Sequence, residues 1–372
     1  MFIFCTALDW RTDHQHDTLR GRADMNPSGN ALMLTPTLVD LFDHADITLR
    51  VYHLGRRVVP CPIDHFRDFE RQEIAWSQPW QSQAQVALVF TPASADDPII
   101  WCLALPLDEQ SMLVPALRDG FLEQLMSAFK RQPDGSLALD SAAETLKEVA
   151  IALQPNELTK ALLHARIAQD FKRPASRFHA DARTYYLSND PASTWQGLGL
   201  QGIADLVVRR TDEDETHLAG RLEELSHQAL IALCDCLAHA PIQQPSLLAA
   251  MVSRHQAMTT DDPGQQAIMG AILASPLEEA GLWLAPLLKH SMDITALAII
   301  AARGWHHLEH EQRSIDYLVN ISQLSTHDFR VLIKDLTRIP RLRLPMIMAM
   351  KQASPGSTLW QQIDAIQREQ HG

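Results

Sequence analysis

The sequence predicts an α+β protein: a small antiparallel-sheet N-terminal domain followed by a mostly α-helical domain of HEAT-like or irregular helical-array character. Three observations predict it. Short β-branched and aromatic runs with strand character lie between Ile47 and Leu105. Beyond Ser141 apolar residues recur almost only at helical spacing, and those stripes follow one another every roughly 15 to 20 residues, the period of stacked helical pairs.

The α+β domain is expected over residues 33–132. After Thr35-Pro36-Thr37, residues Leu38, Leu41, Phe42 and Ala45 fall on a helical stripe, with Thr37 or Thr35 as cap and Asp40 near the positive helix end. Ile47, Leu49, Val51 and His53 alternate as a strand, Gly55-Arg56-Arg57 reads as a tip with Gly55 at positive φ, and Val58-Val59 returns. A second amphipathic helix begins after Pro62 and carries Ile63, Phe66, Phe69 and Ile74. Gln85 to Thr91 and Ile99 to Leu105 read as strands joined by a polar loop. Leu107 to Lys130 reads as one helix capped by Asp108, with Leu113, Leu117, Phe121, Leu125 and Phe129 on its stripe. Gln132-Pro133-Asp134-Gly135-Ser136 marks the boundary, and residues 1–32, which lack any period, read as a flexible arm or a misassigned start at which Met25 or Met33 would replace Met1.

The helical domain is expected over 141–372, with a division near 210–240 left open. Its stripes include Leu146, Val149, Ala150 and Leu153, then Leu158 to Phe171, then a long one from Leu218 to Leu237. Shorter helices follow, punctuated by Pro263, Pro276, Pro340 and Pro355. No known repeat consensus is present, so the likeness to a repeat array rests on spacing alone.

Composition limits the function classes. The 372 residues carry 32 Lys plus Arg against 45 Asp plus Glu, a net charge of −13, which disfavours a protein wrapped by nucleic acid. The 5 cysteines are scattered and read as reduced cytoplasmic thiols. No apolar run approaches the roughly 20 residues of a membrane helix. There is no phosphate loop, dinucleotide fingerprint or Gly-x-Ser-x-Gly, and no cofactor is expected.

His306, His307 and His310 with Glu309 and Glu311 form the most metal-like cluster, but it lacks the zincin order and reads better as a solvated helix start. Cys234 and Cys236 are too close in sequence for a redox pair and read as one core and one surface thiol. Asp212 to Glu215 reads as a solvated loop or helix start. Lys172 to His179 with Arg183 gathers cations and aromatics that could hold an anion, or Arg173, Arg177 and Arg183 could pair with Asp170, Asp181 and Asp190. Arg330, Lys334, Arg338, Arg341 and Arg343 form a modest basic face.

Tyr52-His53-Leu54-Gly55-Arg56-Arg57, Pro106 to Gln110 with Arg118 to Leu122, Arg173-Pro174-Ala175-Ser176-Arg177, and Gly199 to Asp205 together resemble an uncharacterised bacterial domain-of-unknown-function family. The resemblance spans residues 35 to 210 and continues weakly through the helices. It implies kinship and a bacterial cytoplasmic setting and lends no catalytic residue.

The expected function is therefore a non-enzymatic cytoplasmic scaffold or adaptor that binds another protein through a helical-repeat surface. The rival is an enzyme or anion-binding regulator with a junction pocket of Arg56, Arg57, Arg173, Arg177 and Asp205. A second rival is weak nucleic-acid binding through the C-terminal basic face. The oligomeric state is left open.

Overall fold

A computed structural model of the protein describes residues 36–91, 97–129, 150–188, 194–259 and 262–371. The expected arm at 1–32 and the expected boundary at 132–136 lie outside the described residues.

Local signals build the N-terminal part. The Thr37 hydroxyl accepts from the Asp40 amide and the Asp40 carboxylate accepts from the Thr37 amide, a reciprocal cap that starts α1 (Leu38–His44). Strands β1 (Leu49–His53), β2 (Val59–Cys61), β3 (Gln83–Phe90) and β4 (Ile99–Pro106) form one antiparallel sheet in the order β2-β1-β3-β4. Helix α2 (Ile63–Glu70) links β2 to β3, and α3 (Pro115–Phe129) follows β4. The strand period of two sends Val51, Val86, Leu88, Phe90, Trp101 and Leu103 to one face, where Phe42, Phe66, Phe69 and Phe121 of α1, α2 and α3 bury them. Tyr52, Ala87, Val89 and Ile100 point to the other face and join the core of the helical half. The sheet is thus a middle layer with both faces buried.

One expected helix starts later than its stripe, and the end of a second stripe, whose Leu146 and Val149 lie outside the described residues, is extended. Leu107 to Val114 is not helical: the Asp108 carboxylate accepts from the Gln110 and Met112 amides at 2.8 and 2.9 Å, Ser111 sits at φ 62°, and the helix starts only at Pro115, where a missing N–H is harmless. Ile151 to Leu153 runs extended beside β4, with Ala104 N donating to Ile151 O at 2.7 Å and Leu153 N to Cys102 O at 2.9 Å. That contact covers an outer edge of the sheet.

The helical half comprises α4 (Glu157–Asp170), α5 (His179–Leu187), α6 (Leu200–Arg209), α7 (Asp212–Arg221), α8 (His227–Leu237), α9 (Pro245–Gln256), α10 (Pro263–Ala274), α11 (Glu278–Leu287), α12 (Ile294–Arg303), α13 (Glu311–Ile321), α14 (Thr326–Arg338), α15 (Pro340–Lys351) and α16 (Thr358–His371). Side chains of Asn156, Thr211, Ser226, Asp262, Asp293 and Ser325 cap six of these helices. Packing follows parity. Helices α4, α6, α8, α10, α12, α14 and α16 pack one on the next in a single row; α5, α7, α9 and α11 do the same in a second row, and α13 packs on α15.

The long stripe expected from Leu218 to Leu237 is two helices, because Ser226 accepts from the Ala229 amide and starts α8 afresh. Cys234 and Cys236 are both fully buried, since α8 has neighbours of its own row on both flanks and α4 beside it. In the acidic run, Asp214 and Glu215 are buried rather than solvated: Glu215 pairs with Arg210 at 2.8 Å and accepts from the Gln243 and Gln244 amides.

Candidate functional site

The tip of the β1–β2 hairpin enters the helical half. Gly55 is not at positive φ; a side chain there would meet the Trp80 Cβ at 2.7 Å, so close approach demands the glycine. Arg56 is fully buried, and each of its three side-chain nitrogens donates. Its Nε donates to Pro79 O at 2.8 Å, Nη1 to Ala301 O at 2.9 Å, and Nη2 to the Asp335 carboxylate at 2.7 Å. Arg57 Nη2 donates to Ala274 O at 2.8 Å. Farther along, Arg50 Nη1 donates to Asp170 O at 3.0 Å and Ser111 Oγ to Arg338 O at 2.6 Å. Of these acceptors, Ala274 O, Ala301 O, Asp170 O and Arg338 O lie in the last turns of α10, α12, α4 and α14, where helix carbonyls lack intrahelical partners and the helix dipole is negative. The sheet layer therefore caps the C-terminal ends of four helices of one row.

Arg303, the last residue of α12, closes the junction. Its Nη1 donates to Arg56 O at 2.6 Å and its Nη2 lies 3.0 Å from His239 Nε2, which fits a neutral histidine accepting at that nitrogen. His306 Nε2 lies 3.0 Å from Ser275 O and its Nδ1 3.3 Å from Arg57 Nη2, an arrangement that assigns the proton to Nε2. Burial, then the adjacent His307, pushes the His306 pKa down to about 3. Burial, then Arg313, pushes His307 to about 4. Arg57 and Arg303 are each lowered to about 10, first by burial. His306 and His307 thus form no solvated helix start: residues Trp305–Glu309 make a tight 3-10 turn, so His306 and His310 do not share an α-helical face. Among the described residues no three His, Cys, Asp or Glu side chains are arranged to hold a metal ion.

Arg173, Arg177 and Asp205 belong to another place. Asp205, 1% exposed, accepts from the Ser176 amide at 3.0 Å and pins the loop between α4 and α5 onto α6. A side chain at Gly202 would meet Phe178 O at 2.3 Å, so the same loop closes over that glycine. Arg173 pairs with Asp97 at 2.8 Å, Arg183 with Asp214 at 2.8 Å, and Arg177 lies over the Phe178 ring at 4.7 Å. Among the described contacts none of these takes the expected partners Asp170 or Asp181, and Asp190 lies outside the described residues. Asp170 instead accepts from the Tyr52 hydroxyl at 2.8 Å. The described contacts of Arg56 and Arg57 share no residue with those of Arg173, Arg177 and Asp205.

The C-terminal basic residues are likewise divided. A break at Ile339 puts Arg330, Lys334 and Arg338 on α14 and Arg341 and Arg343 on α15. Arg338 is buried, Arg341 pairs with Glu309 at 2.8 Å, Arg343 donates to Thr337 O and Glu109 O, and Lys334 is exposed.

A groove of about 460 Å³ runs across α8, α10 and α12, with Leu158 of α4 at its border. Ala238, Ala267, Gly270, Ala298 and Ala302 keep its walls low, Ile231 and Ile299 add apolar surface, and Asp235 and Arg303 are its ionisable groups. Asp235 makes no hydrogen bond or ion pair among the described residues. Partial burial raises its carboxyl pKa against the opposing pull of Arg303. Sequence reasoning missed this groove, although the small residues at helical spacing, Ala267 with Gly270 and Ala298 with Ala302, and the lone acid of the α8 stripe were the available signals.

Comparison with curated proteins and with solved structures gives no match. The stretches that carry the sequence resemblance are explained by the hairpin tip, the Asp108 turn with the start of α3, and the loop pinned by Asp205, and the similarity extends over residues 35–367. The chain belongs to the family described as protein of unknown function (DUF3549).

Proposed function

We propose that the protein is a non-enzymatic scaffold or adaptor that binds another protein through the exposed surface of its helical repeats, in the groove across α8, α10 and α12. The observation that carries this reading is that one continuous apolar recess crosses three successive helices of the same row. Repeat arrays present such surfaces because each helical pair contributes one strip of side chains to a common face. A cytoplasmic setting accords with the scattered thiols, and no described helix is long and apolar enough to cross a membrane.

The rival junction pocket is less well supported, because Arg56 and Arg57 already donate to helix ends and to Asp335. Nucleic-acid binding through the basic face has little support either, with Arg338 buried and Arg341 paired. The adaptor reading is tested with a photo-crosslinking residue at Gln266, on the groove rim, and a second at Glu223 as control, in the cells that naturally make the protein. A discrete protein adduct from position 266 that disappears with Ala298→Arg is expected. Adducts that are absent at 266, or equal at 266 and 223, would overturn the reading.

A further inference from the structure

We propose that the protein forms a two-fold symmetric dimer in which the outer face of α11, α13 and α15 packs against the same face of a second copy. The inference stands apart from the adaptor reading, because the groove lies on the other row of helices.

Exposed hydropathy changes along the second row. Helices α5, α7 and α9 leave no large apolar side chain exposed and present Asp181, Asp212, Thr216 and Ser253 to water. Helices α11, α13 and α15 instead expose Leu282, Val319, Leu344, Ile347 and Met348, with Leu282 at 62% and Leu344 at 66%. Helix α13 is bonded to α11 on one flank, packs on α15 at the other and has α12, α14 and α16 behind it, so its exposed stripe faces outward. Soluble chains seldom leave clustered apolar surface of this kind to water.

Charge selects a second copy as the occupant. Residues 276–353 carry nine Lys plus Arg against eight Asp plus Glu, a net of +1 in a chain of −13, so two copies repel least where they meet through this part. Within the face the charge is polar: α11 carries Glu278 and Glu279 and no base, whereas α15 carries Arg341, Arg343 and Lys351 and no acid. Glu278 pairs with Arg313 at 3.0 Å, and Gln352 donates to Glu311 at 3.0 Å. Their neighbours Glu279 and Lys351, both exposed and without a described partner, therefore flank the first turn of α13 from opposite sides. A two-fold axis along α13 exchanges those sides and sets each Glu279 against the second copy's Lys351, so the favourable contact forms twice. A foreign segment of one charge would match one edge of the face and oppose the other.

Shape agrees with the same axis. Between α13 and α15 lies a recess of about 300 Å³ lined by Ile315, Val319, Ala349 and Gln352. The rotation carries α11 of the second copy, with its protruding Leu282, over that side. Mirrored and joined by its polar rim, the face reaches the about 1,000 Å² of total buried area that a specific interface needs.

Sedimentation equilibrium of the purified full chain, from about 1 to 100 µM, is expected to show a reversible monomer–dimer equilibrium. Thermal melts first establish that Leu344→Glu, Glu279→Lys and Lys351→Glu are folded. Leu344→Glu is expected to raise the dimer dissociation constant at least about tenfold. Glu279→Lys and Lys351→Glu are each expected to weaken the dimer, and an equimolar mixture of the two to associate again, because both mixed contacts regain opposite charges. A chain that stays monomeric throughout, an open-ended oligomer, or a dimer indifferent to Leu344→Glu would overturn the proposal. Charge variants that fail to complement each other in the mixture would overturn the placing of α11 over α15. Neither result changes what crosslinks at Gln266 report, so the adaptor reading stands or falls separately.

Discussion

The hairpin-tip junction and the groove meet at Arg303 and treat charge in opposite ways. On the junction side, guanidinium groups are buried and their described donor contacts end on backbone carbonyls, a histidine nitrogen or Asp335. On the groove side, Asp235 stands open with no described partner. Arginine at the junction stabilises because the last turns of α-helices offer carbonyls that nothing else satisfies. The difference teaches that abundance of charge is a poor guide to function in this chain, because the hairpin-tip arginines are consumed by the fold.

Four changes would break or sharpen that contrast. The largest effect is expected at Arg56. Arg56→Ala strips Asp335, Ala301 O and Pro79 O of a buried partner and is expected to cost about 3–5 kcal/mol in urea unfolding. Arg56→Lys recovers only part, because a point charge cannot reach three acceptors in a fork. A loss below about 1 kcal/mol would mean that the junction is not a structural joint.

Gly202→Ala tests a joint built without charge pairing. Its Cβ would meet backbone rather than a pliable side chain, and about 1–3 kcal/mol of destabilisation is expected, again read in urea. An unaffected midpoint would show that the loop from Arg173 to Phe178 yields freely.

Acid should loosen the junction. His306 and His307 are lowered from an ordinary 6.5 to about 3 and about 4, so the folded chain keeps them neutral while the unfolded chain protonates them below 6.5. The unfolded state then binds more protons, and stability falls as pH drops from 6.5 toward 4. Each histidine is expected to contribute about 1–2 kcal/mol of loss by pH 5, measured as a shift in urea midpoint. His307→Gln should flatten that slope; an unchanged slope would assign the acid sensitivity elsewhere.

Asp235→Asn gives the smallest effect on stability, within about 0.5 kcal/mol of the parent, because no described contact is lost. A clearly destabilised Asp235→Asn would place that carboxylate in the fold rather than at an open surface.

Much of the fold was legible because it is written in local pattern. The alternation around Val51, Val86 and Trp101, the Thr37 cap and the prolines at Pro263 and Pro340 lie where sequence spacing places them. Breaks inside apolar stripes were harder to see. Leu113 and Leu225 continue a helical period on paper, yet the Asp108 turn and the Ser226 cap interrupt it, since a side chain that bonds the backbone can override an apolar spacing. The candidate site was less legible still. Arg56 and Arg57 announced themselves as a charged tip, but their helix-end acceptors Ala301 O and Ala274 O lie more than 200 residues away in sequence and are backbone oxygens, which carry no residue-type signature.

Sequence by itself determined the order of elements, the antiparallel pairing of neighbouring strands and the run of capped helices, because propensity, period and caps act over a few residues. Tertiary structure alone decided that the sheet is a middle layer, that the hairpin arginines close helix ends, and that Asp235 and Arg303 face one groove. Those outcomes depend on which distant carbonyls, apolar faces and charges come within about 3–4 Å of one another, and only the packed chain fixes those distances.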